Sequence, residues 1–262
     1  MIGSQFRWSA RAATIGAGLA LALLTPAVGQ AACALNLGWE AFEPFQMKAE
    51  TQVSGLDVDL FVEAAKDAGC TVAFKEAPWA RLLKEIETGK MDAAMGASIT
   101  PERQAFANFS ESYRQDEFVL FVRAGEVDQV GAAGLKAMVG KSFKLGTVRD
   151  YAYGDEFDAL KKHPDFAKQI DEAAGTEINI RKLISKRLDG FIENRFVTAA
   201  VARKENAGDK IAPHPVSVST DPVYFMFSKK SVPEATVAAI NAALAKMKND
   251  GRYNQIVAKY LK

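Results

Sequence analysis

The sequence predicts an α/β protein of two lobes in which the second lobe is inserted into the first. Short strands alternate with helices between residues 35 and 95, and the alternation resumes between residues 144 and 193. This rhythm is typical of parallel sheets, whose neighbouring strands are joined through helices. Two continuous apolar runs, residues 118–122 and 223–227, predict buried strands where the chain passes between the two regions. We therefore expect a discontinuous first lobe and a hinge of two strands.

The first region predicts strands at residues 35–39, 71–74 and 91–95, separated by two helices. The first helix is indicated by apolar residues at helical spacing, namely Leu60, Phe61, Ala64, Ala65 and Ala68. Gly69 and Gly89 follow the two helices, and glycine is the residue most often found just after a helix C terminus.

Beyond this region strands and helices continue to alternate, and the chain ends in two strongly helical stretches. Pro233 opens the first of these, because proline suits the first turn of a helix. The expected elements are strands opening at residue 144 and at 190–193, and helices at 151–162, 176–187, 233–251 and 253–261.

Residues 1–31 have the order of segments that is typical of a secretory signal peptide. Arg7 and Arg11 provide a basic start, and residues 14–24 form an apolar run before a stretch of small residues. The apolar run is too short for a lasting membrane anchor. We expect a mature chain that begins near Ala32 and lies in the periplasm.

The charge balance bears on nucleic-acid binding, and the two cysteines bear on covalent links. The 33 basic and 32 acidic residues become 31 and 32 without the two signal-peptide arginines, which gives no electrostatic case for nucleic acid. Cys33 and Cys70 favour one disulfide in an exported protein. Lipid attachment to Cys33 is the alternative, but Gln30 stands where a lipoprotein signal usually has an apolar residue.

Several motifs occur in a characteristic order along the mature chain. They are Leu37-Gly38-Trp39-Glu40 with Phe42 and Pro44-Phe45, Gly55-Leu56-Asp57-Val58-Asp59-Leu60, Trp79 through Gly89-Lys90-Met91-Asp92, Ser98-Ile99-Thr100-Pro101-Glu102-Arg103 followed by Phe109-Ser110 and Tyr113, and Ala243-Leu244 through Asp250-Gly251 and Tyr253. Together they resemble the bacterial extracellular solute-binding proteins of family 3, the periplasmic receptors of polar amino-acid importers.

The resemblance covers nearly all of the mature chain and implies a two-lobed periplasmic-binding-protein fold, type II-like, with a discontinuous first lobe. We expect lobe 1 at residues 32–119 and 222–262, and lobe 2 at residues 120–221. In that fold the first two strands lie side by side, so Cys33 and Cys70 could come close enough for a disulfide.

Arg103 is the first candidate binding residue. Thr100 and Pro101 predict a helix start, and an arginine in the first turn can grip a carboxylate with two parallel hydrogen bonds. The resemblance implies that Arg103 holds the α-carboxylate of the ligand and that Ser98 assists. The alternative is an ordinary ion pair at a helix end.

Further candidates also follow from the resemblance. Phe42 and Trp79 stand at family positions that enclose the ligand, and Trp39 lies on the same loop as Phe42; core packing is the alternative for all three. From the second lobe, Thr147 is expected to contact the ligand carboxylate.

Asn194 departs from the family pattern. It stands where the family usually has an aspartate for the ligand ammonium, and asparagine cannot form that ion pair. Glu193 is adjacent but should face the other way on a strand. Either another acid such as Glu40 or Asp150 holds the amine, or the ligand has no free α-ammonium.

The resemblance therefore implies the substrate-binding component of an ABC importer, which captures a small polar carboxylate-bearing solute, expected to be an amino acid or a derivative of one, by closure of its lobes. We expect a monomer that needs an inner-membrane permease, and neither catalysis nor a cofactor nor a metal. His163 and His214 form no metal-ligand pattern. The alternatives are a secreted dehydratase of prephenate-like acids, with Glu193 as its acid, and a ligand-sensing partner of a membrane receptor.

Overall fold

The computed structural model describes residues 1–3, 33–130 and 134–260. The predicted signal peptide, residues 1–31, lies outside the described residues except for its first three positions. The strands are β1 (Cys33–Trp39), β2 (Met47–Ala49), β3 (Gln52–Ser54), β4 (Cys70–Glu76), β5 (Ala93–Ala97), β6 (Ala107–Phe109), β7 (Arg114–Arg123), β8 (Leu145–Val148), β9 (Ile170–Ala173), β10 (Gly190–Asn194) and β11 (Ile211–Ser228). The helices are α1 (Leu56–Asp67), α2 (Trp79–Thr88), α3 (Pro101–Phe106), α4 (Asp155–Lys161), α5 (Pro164–Ala167), α6 (Thr176–Ile184), α7 (Arg195–Lys204), α8 (Glu234–Asn249) and α9 (Arg252–Tyr260).

Most strands belong to one network with the order β4-β1-β5-β11-β7-β10-β8-β9, in which β6 also pairs with β11. At one end, β1 lies parallel between β4 and β5. At the other end, β8 lies parallel between β10 and β9. Each end is thus a parallel half-sheet connected through helices, as the alternation of strands and helices predicts.

The two half-sheets meet at β7 and β11, which run antiparallel to each other. Residues 224–227 of β11 pair with β5 of the first half-sheet, and residues 211–223 pair with β7. Residues 118–122 of β7 pair in turn with β10 of the second half-sheet. Both predicted apolar crossings therefore lie in the strands that join the half-sheets, and the two-lobed α/β fold is confirmed.

Each lobe has an apolar core of its own. In the first lobe, Leu37 on β1, Phe61 on α1 and Ile240 on α8 are completely buried in one cluster. In the second lobe, Leu145 on β8 and Phe166 on α5 are buried in another. The first cluster also includes Val197 of α7, so the two lobes are in apolar contact with each other in this structure.

A disulfide joins Cys33 and Cys70, the first residues of β1 and β4. These residues are direct partners in the parallel register, with 4.4 Å between their Cα atoms. The predicted disulfide is confirmed, and the Cys33 sulfur is not free to carry a lipid.

Several elements differ from the sequence prediction: the strand predicted at residues 91–95 is Ala93–Ala97, the helix predicted at residues 176–187 ends at Ile184, and β9, α5 and α7 have no predicted counterpart. The helix predicted at residues 151–162 begins only at Asp155, because Asp150 (φ 62°) and Gly154 (φ 86°) adopt left-handed conformations that interrupt a helix. Strand β11 begins at Ile211, well before the apolar run that predicts it. In the described ranges, no helix has both the length and the hydropathy that a membrane crossing requires.

Candidate functional site

The candidate site lies between the lobes, where the segments that follow β1, β5 and β8 meet. In open α/β sheets the crevice beyond the carboxyl ends of parallel strands is the usual ligand site. A small space here, which we call the inner cavity, has a volume of about 30 Å³. The lining residues that matter most are Glu40, Phe42, Trp79, Arg103, Asp116 and Tyr151. A wider groove of about 1070 Å³, the outer groove, runs between α2 and α3 on one side and α4 on the other.

Arg103 lies where the inner cavity and the outer groove meet. The Thr100 hydroxyl caps α3 by accepting a hydrogen bond from the Arg103 N–H at 3.3 Å, which confirms the predicted helix start. The Arg103 side chain is 6% exposed, and burial lowers its pKa to about 10. It is therefore a buried guanidinium that keeps its positive charge at neutral pH.

The Arg103 guanidinium connects the two lobes. Its Nη1 donates to the Ser98 carbonyl oxygen at 2.9 Å, and its Nη2 donates to the Asp150 carbonyl oxygen at 2.7 Å. It also lies over the Trp79 ring, 5.2 Å from the ring centroid. Backbone carbonyls are weaker partners than a carboxylate, so the guanidinium can exchange them for an anionic ligand group.

Three aromatic rings line the inner cavity. Tyr151 meets Phe42 edge to face at a centroid distance of 6.2 Å, and it meets Trp79 edge to face at 6.4 Å. Phe42 and Trp79 come from the first lobe, as the sequence predicts, whereas Tyr151 follows β8 in the second lobe. Phe42 and Trp79 form the walls of a slot for apolar or planar groups, which we call the aromatic slot, and the Tyr151 ring packs edge to face against both walls.

Glu40 forms the polar end of the aromatic slot. Its Oε2 accepts a hydrogen bond from the Trp79 N–H at 2.8 Å, and its Oε1 accepts one from the Tyr151 hydroxyl at 2.5 Å. Burial raises the pKa of Glu40, although both hydrogen bonds oppose that shift. The carboxylate is thus oriented from both lobes.

Asp116 places a second carboxylate on the inner cavity, and it is 3% exposed. The Asn194 Nδ2 donates a hydrogen bond to its Oδ1, and the Arg114 Nη1 lies 3.4 Å from its Oδ2. Arg114 is also paired with Asp57 through two hydrogen bonds of 2.7 and 2.9 Å. Since Arg114 is shared between two acids, Asp116 is only partly neutralised.

The structure places Asn194 next to Asp116, at the start of α7. Its Oδ1 accepts hydrogen bonds from the N–H groups of Phe196 at 2.8 Å and Val197 at 3.2 Å, so Asn194 caps the helix. Asn194 lines a different surface pocket, together with Arg114 and Phe196. It thus reaches the inner cavity through its contact with Asp116.

Glu193 is completely buried on β10. Its Oε2 accepts a hydrogen bond from the Thr176 hydroxyl, and its Oε1 accepts one from the Asn194 N–H at 2.8 Å. Burial raises the pKa of Glu193 to about 8. Its carboxyl group is therefore engaged within the second lobe and is not among the residues that line the inner cavity.

The other predicted site residues occupy three positions. Ser98 lines the inner cavity beside Arg103, and Thr147 lines the outer groove with Arg103. The Thr147 carbonyl oxygen accepts a hydrogen bond from Asn179 Nδ2 at 3.1 Å. Trp39 is 3% exposed and lies in the core of the first lobe.

Tyr151 and Asp116 are the site residues that sequence reasoning missed. A buried acid beside the apolar run of a hinge strand is a signal for Asp116, because burying an unpaired carboxylate is costly. Tyr151 offered no such signal, since its spacing fits a helix as well as a loop.

The fold and the cleft together define a class of protein, a two-lobed receptor with charged and aromatic residues between its lobes. Residues 35–262 match the model of the bacterial extracellular solute-binding proteins, family 3, and the chain belongs to this family.

Several relatives share much of their length with this chain. A probable histidine-binding protein of Neisseria gonorrhoeae is 28% identical over 222 residues, which cover 84% of this chain and 79% of that protein. The histidine-binding periplasmic protein of Salmonella typhimurium is 25% identical over 227 residues, which cover 84% of each chain. The structure of an ancestral arginine-binding protein bound to arginine superposes with a TM-score of 0.74 at 26% identity, covering 87% of this chain and 98% of that one.

Proposed function

We propose that this protein is the substrate-binding component of an ABC importer and that it captures an amino acid or a close derivative. The observation that carries the proposal is the placement of one buried arginine, Arg103, and two carboxylates, Glu40 and Asp116, on one cavity between the lobes. A solute with a carboxylate at one end and an ammonium group at the other complements these charges. The histidine- and arginine-binding relatives support the same class of solute.

In this proposal Arg103 binds the α-carboxylate of the solute. Ser98 from the first lobe and Thr147 from the second lobe assist it. Phe42 and Trp79 exclude water from the contacts, and Trp39 supports the loop that carries Phe42. Removing water strengthens each polar contact in the cleft.

The ammonium end of the solute binds Asp116, and Glu40 accepts a hydrogen bond from the solute's side chain. Asn194 carries no charge and acts as a positioning residue, because its amide donates a hydrogen bond to Asp116 and its oxygen is held by α7. The acid that the family usually has at the position of Asn194 is thus supplied by the neighbouring strand β7.

Lobe 1 comprises residues 32–119 and 222–262, lobe 2 comprises residues 120–221, and binding draws them together about β7 and β11. The mature protein, without residues 1–31, works as a monomer in the periplasm and delivers its solute to an inner-membrane permease driven by an ATPase. It uses no cofactor or metal and leaves the solute unchanged. The dehydratase alternative is not favoured, because the carboxyl of Glu193 is bound to Thr176.

The test is calorimetry on the mature protein with L-histidine, L-arginine and their α-deaminated analogues. We expect binding of an L-amino acid that weakens strongly when the α-amine is absent. In Asp116→Asn this difference between amine and deaminated analogue should shrink, whereas Asp171→Asn, whose carboxylate pairs with Lys182 away from the cleft, should keep it. Native mass spectrometry of the purified protein identifies any solute that co-purifies. If the protein binds neither these two nor any other of the twenty L-amino acids in the same assay, and no amino-acid derivative co-purifies with it, the proposal is contradicted.

A further inference from the structure

One short loop of the second lobe is fastened to the first lobe. The Asp150 carbonyl oxygen accepts hydrogen bonds from Arg103 Nη2 at 2.7 Å and from Trp79 Nε1 at 3.1 Å. The neighbouring Tyr151 hydroxyl donates to Glu40 Oε1 at 2.5 Å. Each first-lobe residue in these bonds lines the inner cavity.

These bonds use the groups that the proposed solute needs. Asp150 holds one nitrogen of the guanidinium that would grip the carboxylate. The Tyr151 ring fills the aromatic slot against Phe42 and Trp79, and its hydroxyl occupies Glu40. The loop therefore has the contacts of a ligand, with an oxygen at Arg103, a ring in the slot and a donor at Glu40.

The inner cavity that remains beside Tyr151 has a volume of about 30 Å³. Pockets for small organic ligands measure roughly 300–1,000 Å³, about ten times that volume or more. An amino acid cannot enter unless the loop of Asp150 and Tyr151 moves out. The fastened loop and the bound solute are thus mutually exclusive.

We propose that Tyr151 is an internal competitor for the solute site and, through that competition, a determinant of specificity. The inference rests on the proposed function, because it concerns the same cleft. A solute must replace two contacts at once. Its carboxylate must displace the Asp150 carbonyl oxygen from Arg103, and a planar side chain with an N–H or O–H donor must displace the Tyr151 hydroxyl from Glu40. Solutes that make only one of these contacts do not displace the loop.

Competition of this kind weakens the apparent affinity by the fraction of protein whose site is free. Tyr151→Phe keeps the ring and removes the bond to Glu40. Losing a hydrogen bond to a charged group should tighten the binding of L-histidine and L-arginine about tenfold. L-Alanine, which has no side-chain donor, should gain at least as much, so that discrimination falls. Tyr224→Phe is the matched control. Tyr224 lies on β11 and is not among the residues that line the inner cavity, so the affinity of this variant for the same amino acids should stay unchanged.

Unchanged or weaker binding in Tyr151→Phe would overturn the proposal. If Tyr151 only lined the site or contacted the solute, loss of its hydroxyl could not increase the affinity for solute. A second readout needs no solute. X-ray scattering of the protein alone should show a larger radius of gyration for Tyr151→Phe and for Glu40→Gln than for the natural chain. If both variants scatter like the natural chain, the bond between Tyr151 and Glu40 does not hold the lobes together, and this outcome would overturn the proposal as well. If the natural chain binds no amino acid, the proposed function fails, and scattering alone still decides whether Tyr151 fastens the lobes.

Discussion

Arg103 combines near-complete burial with a full positive charge, so its replacement by alanine tests the cleft most directly. The change removes the donor to the Ser98 carbonyl oxygen and one of the two donors to the Asp150 carbonyl oxygen, which keeps Trp79 Nε1, and it leaves the carboxylate of a bound solute without its cationic partner. A carbonyl group left buried without a donor, as that of Ser98 would be, costs about 1–3 kcal/mol of folding free energy. We therefore expect a folded but somewhat less stable protein.

The effect on binding should be larger than the effect on folding. Removing one side of a buried, hydrogen-bonded charge pair costs about 2–5 kcal/mol. At 25 °C this corresponds to a loss of affinity between about 30-fold and several thousand-fold. Arg103→Lys keeps the charge but loses the two-pronged grip, and it should fall between the natural chain and Arg103→Ala.

Calorimetry with the best-binding amino acid measures these losses, and thermal unfolding of each variant confirms that it is folded. Arg181→Ala is the matched control, because that side chain is 65% exposed and pairs with Glu205 on the surface of the second lobe. Exposed pairs contribute about 0–1 kcal/mol to stability. Arg181 is not among the residues that line the inner cavity or the outer groove. A folded Arg103→Ala protein that binds as tightly as Arg181→Ala would refute the carboxylate grip.

Two further predictions concern stability. Burial raises the pKa of Glu193 to about 8 from an ordinary value of 4.5, so the folded protein keeps a proton that the unfolded chain has lost. The free energy of unfolding should therefore fall between about pH 5 and about pH 8, by up to about 1.4 kcal/mol per pH unit from this group. Glu193→Gln should flatten that slope in urea titrations, the surface change Glu205→Gln should not, and equal slopes in both variants would contradict the assignment. Reducing the disulfide of Cys33 and Cys70, which are 37 positions apart, should cost about 4 kcal/mol of unfolding free energy in the chain-entropy model. Urea unfolding with and without reductant measures this, and coincident curves would contradict it.

Local signals were sufficient for most of the fold. Buried parallel strands are continuous apolar runs, and glycines such as Gly69 and Gly89 mark where helices end, so the elements of the first lobe could be predicted. Strand β11 could be predicted only in its apolar part. Its earlier part contains Pro213 and Pro222. Proline cannot donate a hydrogen bond in a sheet and so argues against a strand, but this part nevertheless pairs with β7.

The candidate site was less accessible to sequence reasoning, because its geometry depends on contacts between distant segments. Arg103 could be singled out, since its helix start is local. Tyr151 could not, because its position depends on Glu40 and Trp79, which lie in the other lobe. The same holds for the link between Asn194 and Asp116, which joins the start of α7 to a hinge strand.

The position of β11 in the first half-sheet has a consequence for how the chain is made. Tyr224 of β11 pairs beside Ala97 of β5, and the entire second lobe lies between them in the chain. As the protein emerges from a ribosome or a translocation channel, β1, β4 and β5 appear early, but the inner edge of β5 has no neighbour until the second lobe has followed. An open strand edge invites pairing with other chains. The disulfide between Cys33 and Cys70 can close before that delay ends, and it then holds the early strands in register while they wait for their last partner.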